Sequence, residues 1–372
     1  MTEAPPPDVK RSPLHEIHEQ LGASFTDFAG WLMPVRYSSD LAEHHAVRTA
    51  AGIFDISHMA EIQVTGADAA AFLDYALAGN ISAVAAGKAK YSLVLGDSGG
   101  ILDDIIVYHP TPGEYLVVAN AGNRDVVVTA LQERSANFGV HLLDLTDDTV
   151  LIAVQGPASR SIVAEAPGLA VDGLDELKYY ACAPATFAGG AVLVARTGYT
   201  GEDGYELYVD VRDAAALWIA LTEAGSDRGL VPAGLASRDT LRLEAGMPLY
   251  GHELGLDMLP EQAGLGRVVA LDKTGDFVGR AAVEAGTEGA RVLVGLASEG
   301  KRAGRAGYAV FDGETEVGVI TSGALSPTLG YPIAMAYVDP GASLPGTELQ
   351  LDVRGSRIAA TVVPLPFYKK EA

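Results

Sequence analysis

Helical periodicity stops at about Arg291, and this break constrains the fold more than any other feature of the chain. Downstream, six runs rich in β-branched residues follow one another at turn-marked spacing: Val292–Ala297, Tyr308–Phe311, Val317–Ser322, Ile333–Tyr337, Glu348–Val353 and Arg357–Pro364. Short strands with no helix between them predict a separate all-β domain, a small barrel or jelly roll. The stretch Thr274–Gly289, rich in Gly, Ala and acids, reads as the linker to it. At 372 residues the chain exceeds what one core usually fills, so two or three domains are expected.

Upstream, helices and strands come in groups. Leu14–Leu21, Leu41–Ala51, Ala67–Leu77, Asn123–Arg134, Pro157–Ala164, Ala214–Glu223 and Leu235–Glu244 read as helices. Ala60–Val64, Val150–Gln155, Ala191–Arg196 and Glu206–Val211 read as strands. Lys90–Leu95, Ile101–Tyr108 and Tyr115–Ala119, joined by Gly-rich and Pro-containing turns, read as an antiparallel meander. Grouping of this kind favours α+β with antiparallel sheets over a doubly wound parallel fold.

Composition narrows the partners. A formal net charge of −22 repels nucleic acid and anionic membranes. The one cysteine, Cys182, excludes an internal disulfide or a Cys-based zinc site, and it reads as a buried, inert thiol. The proline-rich leader Met1–Ser12 has no apolar core of a signal peptide, and no run of about 18 apolar residues occurs. The cytoplasm is the expected compartment.

Several familiar motifs are missing or fail in context. There is no Walker loop and no dinucleotide fingerprint. Gly96-Asp97-Ser98-Gly99-Gly100 satisfies G-x-S-x-G, but a strand follows it where a hydrolase elbow needs a helix. It reads as a tight hairpin turn. His15, His18, His44 and His45 lack the spacing that aims two imidazoles at one metal. His58 suits a structural or a functional role equally well.

Two segments carry the stronger chemical signals. In Gly99–Val107, Asp103 and Asp104 interrupt a run that otherwise reads as buried. Adjacent strand residues face opposite sides, so one of the two should face the packed side or a cavity. A buried carboxylate needs a partner or a task. In Arg196–Val209, Gly198, Gly201 and Gly204 suggest a sharp turn or close approach to a ligand. By alternation Glu206 shares a face with Tyr208 and opposes Tyr205 and Leu207. A carboxylate beside aromatic faces suits a planar heterocycle with adjacent N–H donors. Arg238 and Arg242, four apart on the helix Leu235–Glu244, share a face that could meet an anionic ligand.

At these residues the chain resembles the T-protein family of the glycine cleavage system, tetrahydrofolate-dependent aminomethyltransferases. The strings that carry the resemblance are FAGWLMPV (28–35), GIFDISHM (52–59), GGILDD (99–104), VVANAGN (117–123), LIAVQGP (151–157), RTGYTGEDGYE (196–206), GLASRDTLRLEAGMPLYG (234–251) and TSGALSPTLG (321–330). They occur in family order over almost the whole chain. The resemblance implies a three-domain cloverleaf around a central folate pocket: 1–52 with 145–230, 53–144 with 231–275, and a β-barrel-like domain over 290–372. Asp104 matches the family's catalytic aspartate. Met59, Tyr91, Asn120, Tyr179, Tyr199, Glu206 and Arg238 match folate-pocket positions, with Arg305 and Tyr368 also reaching the folate.

The implied partner is a lipoylated H protein presenting an aminomethyl group on a dihydrolipoyl sulfur. Loss of the thiolate leaves an iminium-like cation, folate N5 attacks it, and closure through N10 expels ammonia. No metal is implied. Two relatives compete: a folate enzyme that demethylates dimethylglycine or sarcosine, and a folate-binding protein of iron–sulfur maintenance. The first is often fused to a flavin domain, for which this chain has no fingerprint. The second carries K-G-C, where this chain reads Tyr180-Ala181-Cys182. Where the family commonly reads E-A-G-L-G-W, this chain has Gln262 and Arg267 at the ends of the string, which bears on local packing and carrier docking. Lys301, Arg302 and Arg305 form a basic cluster suited to an acidic carrier or a polyglutamate tail.

Overall fold

The computed structural model describes residues 9–370; most of the proline-rich leader lies outside the described residues. A seven-stranded sheet runs Leu169–Val171, Cys182–Phe187, Gly190–Ala195, Gly204–Asp210, Thr149–Gln155, Ala51–Asp55, Leu230–Pro232 in spatial order. A five-stranded sheet runs Lys88–Leu95, Ile101–Thr111, Glu114–Ala119, Ala60–Thr65, His141–Asp144. A closed six-stranded barrel is built from Val292–Ser298, Pro332–Val338, Thr315–Leu325, Ala309–Asp312, Glu348–Val353 and Ser356–Val363. The mixed α+β reading and the C-terminal barrel both hold, and barrel rather than jelly roll is the form adopted.

Side-chain alternation decides how these layers stack. Tyr205, Leu207 and Val209 point with Val150, Ile152 and Val154 into a core that the helices Ser159–Glu165 and Ala214–Gly225 cover. Ile105, Val107, Val117 and Val64 point into a second core under the helices Ala69–Ala76 and Arg124–Arg134. The opposite faces of the two sheets meet each other through Phe54, Ile56, Tyr108, Val118, Leu151 and Tyr208. Helices therefore lie outside, and the space between the two sheets is where a cavity can form. The barrel packs on through Leu243, Ala324, Ile333 and Met335.

Four details depart from the sequence reading. The sheets are not wholly antiparallel: Leu230–Pro232 runs parallel to Ala51–Asp55, and Lys10–Arg11 parallel to Trp31–Arg36. The expected linker contains a helix, Arg280–Ala285, whose Ala282 and Val283 pack on the Gly96–Gly100 turn. A hairpin, Ser24–Phe28 with Trp31–Arg36, was not foreseen; its turn places Ala29 and Gly30 at positive φ, with Gly30 N–H donating to Asp27 Oδ1 at 3.0 Å. Cys182–Phe187 is also a strand, although Pro184 within it argues against one. The Gly96–Gly100 segment is the tight turn expected, with Gly96 N–H donating to Gly100 O at 2.9 Å. No helix among the described residues is long and apolar enough to cross a membrane.

One buried ionic network ties the layers together. Arg48, on the helix Asp40–Thr49, donates to Glu244 Oε2 at 2.8 Å, to Glu202 Oε1 at 3.0 Å and to Thr200 O at 2.7 Å. Glu244, at the end of the helix Leu235–Glu244, also accepts from Ser326, from Thr328 N–H at 3.0 Å and from Thr328 Oγ1 at 2.7 Å. Ser326 and Thr328 follow the barrel strand Thr315–Leu325. Burial pushes the Glu244 carboxyl up, but hydrogen bonds from His44, Ser326 and Arg48 outweigh it and hold the group down at about 2. A depressed carboxyl contributes stability above its unfolded value of 4.5 and loses it as pH falls toward about 2. Glu244→Gln should therefore cost on the order of 3 kcal/mol at pH 7 and clearly less at pH 3. Urea unfolding of both proteins at the two pH values checks this; an equal deficit at both would contradict it.

Candidate functional site

A cavity of about 630 Å³ opens between the two facing sheets, a size that holds a ligand of cofactor dimensions. Its walls are mainly apolar, with Phe28, Ile56, Met59, Ile106, Val118 and Leu235 among them. A few polar groups converge on it: Asp104 and Asn120 from the five-stranded sheet, Glu206 from the seven-stranded one, and Arg238 from the helix Leu235–Glu244.

The acidic pair sits where alternation requires. Asp103 is fully buried on the core face of the strand Ile101–Thr111. Asp104 faces the cavity with Ile106 and Tyr108. Its Oδ2 accepts from Tyr91 OH at 3.0 Å and its Oδ1 from Asn120 Nδ2 at 2.8 Å. Burial pushes the Asp104 carboxyl up to about 6, against those two hydrogen bonds. An acid in that range is ionised at neutral pH yet can take up a proton readily, as a general base must.

Glu206 is held before any ligand arrives. Its Oε2 accepts from Tyr108 OH at 3.0 Å and from Thr197 Oγ1. Tyr108 belongs to the strand that carries Asp104, and Glu206 to the other sheet, so this bond crosses the cavity floor. Glu206 Oε1 has no partner among the described residues and remains free to accept. Tyr205 and Leu207 point into the core, as the alternation argument requires.

The glycines of this hairpin serve packing more than a ligand. A side chain at Gly198 or Gly204 would run into the Gln155 amide. Gln155 in turn donates to Thr197 O at 3.1 Å and accepts from Thr200 Oγ1 at 3.0 Å. The close approach read from the sequence is thus to Gln155, which shapes the loop that offers Tyr199.

The two arginines differ. Arg242 is nearly saturated: it donates to Asp239 at 2.8 Å, Glu253 at 3.0 Å and Ser322 Oγ at 2.8 Å. Arg238 lies over the Tyr199 ring at 4.8 Å and makes no hydrogen bond or ion pair among the described residues. Burial lowers the proton affinity of its guanidinium, with Tyr199 and Glu206 opposing that effect. Tyr199 is itself fixed, its hydroxyl donating to Pro248 O at 2.5 Å.

Of the positions named from the sequence, Met59, Tyr91, Asp104, Asn120, Tyr199, Glu206 and Arg238 come together on the cavity wall. Three do not. Tyr179 is 54 % exposed, and its neighbour Tyr180 lines the cavity instead, because Tyr180 takes a left-handed backbone (φ 57°) that reverses which ring points inward. Arg305 is exposed on the barrel and donates to Gly323 O at 3.2 Å. Tyr368 returns along the ionic network, its ring over Arg48 at 4.1 Å and its N–H on Glu244 O at 2.8 Å. In the basic cluster with Arg305, Lys301 donates to Gly330 O at 2.9 Å.

Other wall residues escaped the sequence reading. Tyr108 was legible in principle, since it lies four residues from Asp104 and so shares its face. Tyr250 and Pro248 sit in irregular chain and give no periodic signal. His58 is buried in the wall with no partner for Nδ1, and burial followed by the nearby Arg238 charge pushes it down to about 3, so its ring is neutral. Cys182 is buried and pushed up to about 11 by that burial, an unreactive thiol as expected. The departures at 262 and 267 separate: Gln262 is buried and ties its loop to the barrel domain through Arg291 O at 3.1 Å, while Arg267 is exposed.

Comparison with known proteins shows the family. The family described as the GCVT N-terminal domain matches residues 14–273, and the glycine cleavage T-protein C-terminal barrel domain matches residues 291–369. An aminomethyltransferase of Cutibacterium acnes is 60% identical, covering 97% of this chain and 99% of its own. One from Streptomyces coelicolor is 55% identical, covering 98% and 99%. The crystal structure of the glycine cleavage system aminomethyltransferase T from Bartonella henselae superposes with a TM-score of 0.89 at 37% identity, covering 97% of this chain and 98% of that one. The chain belongs to the glycine cleavage T-protein family and is an aminomethyltransferase.

Proposed function

We propose that the cavity binds tetrahydrofolate as co-substrate, with Glu206 and Arg238 at the pterin and Asp104 at the reacting amines. The observation that carries this reading is the arrangement of an ionisable carboxylate, Asp104, and a separate acceptor–cation pair, Glu206 and Arg238, around one apolar cavity. The free Glu206 Oε1 suits the N–H donors of an amino-pyrimidine edge, and the unpaired Arg238 guanidinium suits an oxygen beside them. Met59, Tyr91, Asn120, Tyr180 and Tyr199 complete the walls. The division of the chain into 1–52 with 145–230, 53–144 with 231–275, and 290–372 is part of the same reading.

When bound, the folate supplies two nucleophilic nitrogens to the one-carbon unit. The chain's own residues bind, orient and handle protons. Asp104 stabilises positive charge developing on the aminomethyl carbon. It accepts the proton lost by an attacking amine and returns it to the departing ammonia. Tyr91 and Asn120 hold its two oxygens in place for both tasks. The apolar walls exclude the water that would hydrolyse an iminium. Lipoylated H protein is the carrier in this reading, working in the cytoplasm, and the exposed Tyr179 lies beside the cavity-lining Tyr180, where an incoming arm would pass.

The reading is tested by folate-dependent ammonia release from aminomethylated H protein. Absence of release, with demethylation of dimethylglycine in its place, would transfer the chain to the demethylating folate enzymes. Asp104→Asn should keep folate affinity and lose about 10²-fold or more in turnover; normal turnover would remove Asp104 from the chemistry. Glu206→Gln should weaken folate binding by roughly 10- to 100-fold, with a smaller change in kcat. Isothermal titration with an N5-blocked folate measures this, and unchanged affinity would place the pterin elsewhere.

A further inference from the structure

His58 is a buried polar side chain to which nothing above gives a task. It is 3 % exposed and lies on the cavity wall. Nδ1 is enclosed and has no partner. Nε2, the ring nitrogen left open to the cavity, makes no hydrogen bond among the described residues either. Phe28 meets the imidazole edge-on, with ring centroids 5.3 Å apart. A phenyl ring would pack there equally well, without two polar atoms to desolvate. An imidazole kept in this place with both nitrogens idle marks a point where a ligand supplies the partner.

The chain on both sides of the ring is fixed. Ser57 N–H and Ser57 Oγ both donate to Asp55 Oδ1, at 3.0 Å and 2.5 Å. Leu151 N–H donates to Ser57 Oγ at 3.2 Å, and Ile56 N–H to Leu151 O at 3.0 Å. Met59 N–H closes the turn on Ile56 O at 3.1 Å. Asp55 is itself anchored by Ser12 and by His18 Nε2, the latter at 2.8 Å. The turn thus presents the imidazole in one direction before any ligand arrives.

The neighbouring charge decides what kind of contact this is. Burial, then the Arg238 charge, hold the ring neutral against the pull of the Asp55 carboxylate. A neutral imidazole carries one N–H and one lone pair, whereas a guanidinium offers N–H donors alone. The ligand atom that Arg238 meets is therefore an acceptor. A second group aimed at that atom attracts it only by donating, since a lone pair there would repel it. We propose that His58 is a specificity-determining residue for the folate: its Nε2–H donates, together with Arg238, to the oxygen at C4 of the pterin, and so selects a 4-oxo ring over a 4-amino one. The proposal rests on the reading that puts Arg238 beside the ring oxygen. The 2-amino group that Glu206 meets is common to both rings, so the choice at C4 is left to Arg238 and His58. An amine at C4 would turn its hydrogens toward two donors, leaving all of them without an acceptor.

Titration calorimetry with 5-methyltetrahydrofolate and with its 4-amino counterpart reads the preference as a ratio of affinities. His58→Phe should lower that ratio by roughly 10-fold. His58→Gln, whose amide nitrogen reaches the place of Nε2, should restore most of it; His58→Asn, which reaches only the place of Nδ1, should not. An unchanged ratio in His58→Phe would overturn the proposal, as would restoration by Asn rather than by Gln. The wild type supplies a second readout that no variant's folding can obscure. With nitrogen-labelled histidine, NMR should show one neutral ring with a protonated Nε2, identified by its loss in His58→Gln. Its Nε2 signal should shift on adding 5-methyltetrahydrofolate, and much less with the 4-amino compound. No shift, or an equal shift with both, also overturns the proposal. Weakened binding in Glu206→Gln with an unchanged ratio in His58→Phe removes only the role of His58. Unchanged binding in Glu206→Gln removes the pterin from this edge of the cavity, and the underlying reading with it.

Discussion

The hydrogen bond from Tyr108 to Glu206 is the contact on which the geometry of the site depends. It joins the sheet that carries Asp104 to the sheet that carries Glu206. Asp104 and Tyr108 lie four residues apart on one strand and on one face, so about 13 Å of extended backbone separates their positions. In the proposed reading that strand acts as a ruler between the carboxylate at the reacting amines and the hydroxyl that fixes the acceptor for the pterin. Thr197 secures the same Glu206 oxygen from the hairpin side. Both donors are buried, so the acceptor is oriented before binding and little ordering is left for the ligand to impose.

The third wall is fixed from a distance. The helix Leu235–Glu244 offers Arg238 to the cavity from its first turn and ends on Glu244, which lies fully buried among Arg48, His44, Ser326 and Thr328. Anchoring the far end to the barrel and to the seven-stranded sheet sets the rotation of the helix, and with it the direction of Arg238. Arg242, one turn on, is spent on Asp239, Glu253 and Ser322, which leaves Arg238 as the cation of the pair free for a ligand. Charge in this acidic chain is thus divided between a scaffold network and a small working set.

How much of this could be read in the sequence follows from how local the signals are. The choice of Asp104 came from the family resemblance, while the two-residue alternation set Asp103 and Asp104 on opposite faces, and Glu206 opposite Tyr205 and Leu207, because strand geometry is local. The loss of helical spacing after Arg291 announced the barrel for the same reason. The resemblance pointed to Tyr179, whereas the ring on the cavity wall is that of its neighbour Tyr180, where the backbone is left-handed. Arg305 and Tyr368, also named from the resemblance, stand away from the cavity wall, and their positions depend on how the barrel and the C-terminal tail dock. The Asn120–Asp104 contact was hidden because it joins residues brought together by strand pairing, and the hairpin glycines were misread because their neighbour, Gln155, is more than forty residues away in the chain.

In the proposed reading one cavity holds a reduced pterin between Glu206 and Asp104. A crystal structure with 5-methyltetrahydrofolate, whose blocked N5 prevents turnover, tests it most directly. The amino-pyrimidine edge should lie on Glu206 Oε1, Arg238 beside the ring oxygen, and the N5–N10 region within hydrogen-bond reach of Asp104. A folate bound outside the space between the two sheets, or reversed so that Asp104 meets the amino-pyrimidine edge, would contradict it.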